Sequence, residues 1–171
     1  MAGEKRYIYG LFSQTADSAT VTNTVIETTI VGSGIGGLTV PANEFILGDS
    51  FHAKIGGIIS AQNGDTITIR IENGAVLLAT TGAITLSPCT NQGWEIELDF
   101  TVRSVGVSGS IVTNGEFKYN RDTGSYEGVV FNDTEPIDTT ISSTLDITVE
   151  WGQAKTQDQI YSTSFTLHKN F

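Results

Sequence analysis

A chain of 171 residues with 39% hydrophobic content is long enough to fill one core and short for two, so one main domain is expected. The 19 acidic residues outweigh 9 basic ones for a formal net charge of -10, which argues against a nucleic-acid binder, because that role needs Lys and Arg to displace phosphate counterions. A single cysteine, Cys89, rules out an internal disulfide and offers no zinc-ligand spacing. The apolar run 7–12 is too short for the core of a secretory signal, and nothing approaches a membrane-spanning helix, so neither a signal peptide nor membrane insertion is expected.

Residues 1–18 hold Tyr7-Ile8-Tyr9-Gly10-Leu11-Phe12 and then a polar run, which reads as a peripheral strand or an arm that packs on a neighbour. The main domain is expected over 19–171. Between 19 and 31 the chain is dense in Thr, Val and Ile, whose branched β-carbons favour extended backbone, and one or two strands are expected there. Glycine-rich 32–37 leads to Leu38-Thr39-Val40, closed by Pro41, and to a short apolar piece at 45–47 before a turn at Gly48. From Ser50 a strand alternates, with Phe51, Ala53 and Ile55 on one face and His52 and Lys54 on the other, until Gly56-Gly57 bends or bulges it.

The turn pairs Asn63-Gly64 and Asn73-Gly74 bracket Ile67, Ile69 and Ile71, which share a face; the second pair predicts a hairpin from 67–71 to 76–78, followed by a separate short strand near 83–86. A loop over 87–91 feeds the strand around which the fold should be built. Over residues 94–103, Trp94, Ile96, Leu98, Phe100 and Val102 alternate with Glu95, Glu97, Asp99, Thr101 and Arg103. Ten residues at about 3.3 Å each cover roughly 33 Å, and burying the five apolar side chains contributes about 8–15 kcal/mol. Asn114-Gly115, inside the strand-like run 105–119, reads as either a hairpin turn or a bulge. A turn at 120–124 returns the chain to 126–131. After a polar loop, Leu145, Ile147, Val149 and Trp151 form a second alternator, and 160–169 closes the chain with Phe165 and Leu167 inward.

No window carries an apolar stripe at helical spacing. Short strands with frequent turn signals mean an all-β fold, an antiparallel two-sheet sandwich of jelly-roll type with about eight to ten strands. An immunoglobulin-type sandwich ranks second, because such domains are nearer 100 residues and the disulfide form needs two cysteines.

Several motifs invite a chemical reading. Gly32-Ser33-Gly34-Ile35-Gly36-Gly37 contains the glycine spacing of a dinucleotide-binding turn, yet that chemistry needs a helix to start there, and Pro41 follows a strand-like segment instead. Gly48-Asp49-Ser50 resembles a serine-esterase block, but Ser50 opens an alternating strand and the residue three before His168 is Phe165, not aspartate. His52 and His168 are the only histidines, too few for a three-histidine metal site. Asn132-Asp133-Thr134 matches a glycosylation acceptor and is read as incidental. The acid row Glu95, Glu97 and Asp99 is the strongest lead. Side chains at i and i+2 start about 6.6–7 Å apart, too far for one strand to cage calcium, so the row is expected to be solvated or paired across strands, with Arg70 or Arg103 as partners. No catalytic, cofactor-binding or metal-binding residue is assigned, and no cofactor is expected.

Residues 11–18, the segments 38–43 and 48–54, and the strand 94–103 resemble a group of virus-encoded proteins of large DNA viruses and tailed phages, a likeness running from about residue 11 to the last strand. The resemblance implies a jelly-roll head similar to trimeric fibre heads or tumour-necrosis-factor-like domains, assembled in the host cytoplasm and carried on a virion. It implies a homotrimer in contact with other virion proteins, with end loops available for a host-surface glycan or protein. The function expected on this basis is a non-enzymatic virion structural or attachment module. The alternative is a sandwich-type lectin, or a hydrolase using surface carboxylates, drawing on the acid row and on Tyr119 or Tyr126.

Overall fold

The computed structural model describes residues 9–170, so the expectations placed on residues 1–8 lie outside the described residues. Alternation of apolar and polar side chains drives almost everything seen. The strands, in chain order, are β1 (Tyr9–Gln14), β2 (Val21–Thr22), β3 (Thr28–Thr29), β4 (Gly34–Gly36), β5 (Thr39–Val40), β6 (Ser50–Ala61), β7 (Thr66–Asn73), β8 (Val76–Thr85), β9 (Cys89–Ser104), β10 (Gly109–Asn120), β11 (Tyr126–Ile137), β12 (Ser143–Trp151) and β13 (Gln159–Lys169). All pairings are antiparallel. One sheet runs β11-β10-β9-β6-β13-β1-β4 with β2 also on β13; the other runs β3-β12-β7-β8 with β5 also on β12. Because β6 pairs with β13 and the following β7 pairs with the preceding β12, one long antiparallel ribbon bends across both sheets. That is the connection of a jelly roll. The β10–β11 hairpin widens the large sheet.

Strand β9 sits inside the large sheet between β10 and β6, and its parity is the expected one. Trp94, Ile96, Leu98, Phe100 and Val102 are buried against Ile67, Ile69, Ile71, Ile147, Val149 and Trp151 of the other sheet in a single core. Both buried indoles find acceptors: Trp94 Nε1 donates to the Tyr161 carbonyl at 3.2 Å, and Trp151 Nε1 donates to the Val21 carbonyl at 3.1 Å. β1 lies between β13 and β4 in the large sheet, with Phe12 buried against Phe165.

Several local readings need correction: β9 already begins at Cys89 inside the expected loop 87–91, β11 runs on to Ile137 through the expected polar loop, and 105–108 turns rather than continuing as strand. Asn114-Gly115 is neither turn nor bulge, since β10 passes straight through it. Gly115 is buried, and it must be glycine because a β-carbon there would stand 2.7 Å from both Leu98 and Phe131. The strand near 83–86 is not separate: β8 is continuous from the Asn73-Gly74 hairpin, and its ladder with β7 is interrupted rather than ended. At the interruption Thr80 Oγ1 donates to the Ile69 carbonyl and Thr81 Oγ1 accepts from Ile69 N, each at 3.0 Å, so hydroxyls replace the missing ladder bonds. Gly56-Gly57 runs on within β6, and the irregularity lies opposite, in β13 between Ser162 and Ser164.

Candidate functional site

The outer face of the large sheet displays the acid row, and its neighbours on β6 and β10 pair with it. His52 Nδ1 is 3.0 Å from Asp99 and its Nε2 is 3.6 Å from Glu97. Glu95 lies between two ammonium groups, 3.1 Å from Lys54 and 2.8 Å from Lys118. Hydrogen bonds from Lys118, then Lys54, hold its carboxyl below the ordinary range. The row is paired across strands, but not with the expected arginines. Arg70 lies on β7 in the opposite sheet, where it meets Glu27 at 3.1 Å and Glu150 at 2.8 Å. Arg103 sits on β9 itself, so it has no cross-strand position facing the row. Among the described residues, no group of three or more His, Cys, Asp and Glu is placed to hold a metal ion.

The two tyrosines separate. Tyr119 is buried, stacked on Phe117 at 5.8 Å, donating to Glu127 at 2.9 Å and accepting from Ser87 N at 2.8 Å. Burial first, offset in part by the Ser87 bond, pushes its phenol up to about 12. It therefore cannot serve as an exposed ligand contact. Tyr126 is 75% exposed and borders a shallow hollow on the outer face with Glu95, Lys118, Asn120 and Gly128. A side chain at Gly128 would meet the Phe117 carbonyl at 2.3 Å, so the floor of this hollow stays flat.

The histidines and serine of the motif readings fall on strands. His168 pairs in register with His52 across β13 and β6, and Ser50 opens β6. The glycine-rich segment forms β4 against β1, where the close approach of Ser13 O, 2.4 Å from a β-carbon placed at Gly34, leaves room only for glycine.

A second surface lies on the end loops, and its apolar character was not foreseen. Three loops, 41–49, 105–108 and 138–142, meet at one end of the sandwich. Buried Thr139 rivets them: its carbonyl accepts from Asn43 N at 2.9 Å, its hydroxyl accepts from Gly106 N at 2.7 Å, and its N donates to the Gly106 carbonyl at 3.1 Å. On these bound loops Ile46, Leu47, Val105, Val107 and Ile141 are 47–73% exposed. The signal was present in the sequence as aliphatic residues beside turn glycines, at Leu47-Gly48 and Val105-Gly106-Val107, where a solvated loop would carry polar side chains.

Fold and surfaces together define an antiparallel β-sandwich of jelly-roll type. No protein-family model matches the sequence, and no curated protein matches it. Among solved structures, the lectin UEA-II complexed with galactose is similar at 10% sequence identity and a TM-score of 0.32, covering 96% of this chain and 99% of that one.

Proposed function

We propose that the protein is a non-enzymatic head module of a virion, which assembles with copies of itself as a homotrimer and seats on other virion proteins, with loops available to a host-surface glycan or protein. The trimer and the virion come from the sequence resemblance. The observation that carries the reading is the apolar end: five aliphatic side chains held out on three hydrogen-bonded loops. Holding aliphatic groups in water forgoes about 25 cal/mol for each Å² that burial would remove, and such patches mark surfaces that another protein covers. Cross-strand pairing of Glu95, Glu97 and Asp99 supports a solvated outer face rather than a carboxylate pair free for hydrolysis. Mass spectrometry of purified virus particles tests this. The protein is expected in the particle at stoichiometric amounts, and a Leu47→Glu/Val107→Glu variant that still folds is expected to be excluded from it; incorporation of that variant at the normal level contradicts the proposal.

One observation favours the lectin reading, the exposed Tyr126 beside a hollow that Glu95, Lys118 and Asn120 also line, since an aromatic ring flanked by hydrogen-bonding groups suits a pyranose face. A glycan array in which wild type binds and Tyr126→Ala does not would place that reading first; no hits on the array would remove it.

A further inference from the structure

Between the two sheets lies a cavity of about 300 Å³. It opens past exposed Gly37, Thr39, Pro41 and Glu44, and apolar side chains, among them Phe45, Phe51, Phe100 and Leu145, make most of its wall. An apolar cavity of about 150 Å³ already takes up benzene, and ligand pockets begin at about 300 Å³. Its volume is therefore that of a binding site rather than of a packing fault.

Two polar features define what would fit. The first is a closed ion pair. Asp49, buried, meets Lys169 Nζ at 2.8 Å and accepts from Ile46 N at 3.1 Å, while the ammonium lies 5.7 Å from the centre of the Phe51 ring. Each charge is balanced by the other, so a charged ligand head would meet an opposing charge beside its partner. The second is open. Asn73 Nδ2 donates to Ser143 Oγ at 3.0 Å, but the buried Asn73 Oδ1 accepts from no described residue. Ser143, accepting that bond, retains its own O–H to donate. Asn73 and Ser143 both line the cavity. A neutral hydroxyl in the cavity can accept from the Ser143 O–H, whereas Asn73 Oδ1 is shut off from solvent and the asparagine serves to hold the serine.

We infer that this cavity is a binding site for a neutral apolar molecule carrying one hydroxyl group, of the size of a medium-chain aliphatic alcohol. Its mouth borders loop 41–49, which also carries Ile46 and Leu47, but its walls lie between the sheets, so binding is read separately from assembly by following the oligomeric mass in the same titration. Octan-1-ol, octanoate and octane serve as probes in thermal unfolding and calorimetric titration of the full chain. Octan-1-ol is expected to raise Tm through preferential binding to the folded state and to bind at least tenfold more tightly than octanoate. Ser143→Ala should weaken octan-1-ol by about five- to tenfold, the worth of one lost hydrogen bond, while leaving octane binding unchanged. Val40→Phe, which narrows the cavity at its partly buried wall, should abolish binding of octan-1-ol and octane without lowering Tm. No shift with octan-1-ol, octanoate binding as tightly as the alcohol, or unchanged affinity in Val40→Phe would each overturn the assignment.

Discussion

Replacing Asp158 by asparagine is expected to stabilise the protein at neutral pH. Asp158 and Asp65 are both buried, at 1% and 4% exposure, where the turn before β7 meets the loop before β13. Asp158 Oδ1 accepts from Gln62 N at 3.3 Å, and its carboxyl faces that of Asp65, whose buried Oδ2 has no donor among the described residues. Only a protonated Asp158 can donate there. Burial, then the Asp65 carboxylate, raises Asp158 to about 6 from an ordinary 3.8. Asp65 goes the other way: burial alone would raise it, but the Lys155 ammonium and the Asp158 proton hold it low. Between about pH 4 and pH 6 the folded chain keeps the Asp158 proton and the unfolded chain has lost it, so unfolding releases a proton and stability falls as pH rises through that window. The slope is at most about 1.4 kcal/mol per pH unit, which caps the total cost at roughly 3 kcal/mol above pH 6. Asparagine accepts from Gln62 N, donates to Asp65 and has no proton to lose. Urea unfolding at pH 5 and pH 7.5 should show the advantage of Asp158→Asn over wild type widening by about 1.4 kcal/mol as pH rises. An advantage that stays constant or shrinks over that range refutes the shared proton.

Gly115→Ala should cost about 1–3 kcal/mol in the same titration, because the added carbon stands 2.7 Å from Leu98 and Phe131 in a filled core. Thr139→Val, which keeps the volume and removes the hydroxyl bond to Gly106 N, should cost about 1 kcal/mol and speed amide exchange at 105–108, since that partly buried N–H loses its acceptor. The Cys89 thiol, pushed up to about 11 by burial, should resist iodoacetamide at pH 8 in the folded protein and react once urea unfolds it. Labelling of the native chain at the rate of a free thiol would contradict its burial.

How much the sequence disclosed depended on whether a feature was periodic. The strict alternation of β9 and β12 placed nine apolar residues on the inner face, eight of them buried and Leu145 partly so, because a strand with one buried face cannot slip by one residue without exposing its whole apolar set. The Asn73-Gly74 turn was equally legible, since its geometry calls for positive φ, and Gly74 sits at φ 60°. Asn114-Gly115 carried the same local signal and meant something else: Gly115 is required by the sizes of Leu98 and Phe131, which sequence neighbours do not encode. The partners of the acid row were missed for a related reason. Which strands flank β9 is a matter of topology, and β6 and β10 bring His52, Lys54 and Lys118 from positions 23 to 47 residues away from their partners. Tyr119 and Tyr126 share an aromatic character and differ in strand face, and that difference alone buries one and exposes the other. The apolar end draws its five side chains from three separate loops, so no single stretch announced it.

We propose that the protein covering the apolar end is, in the first place, another copy of the chain. Multi-angle light scattering at micromolar concentration tests it most directly. Wild type is expected at three times the 18.3 kDa of one chain, with Leu47→Glu/Val107→Glu reduced to a folded monomer; wild type already at 18.3 kDa, or a variant that stays trimeric, would contradict the claim.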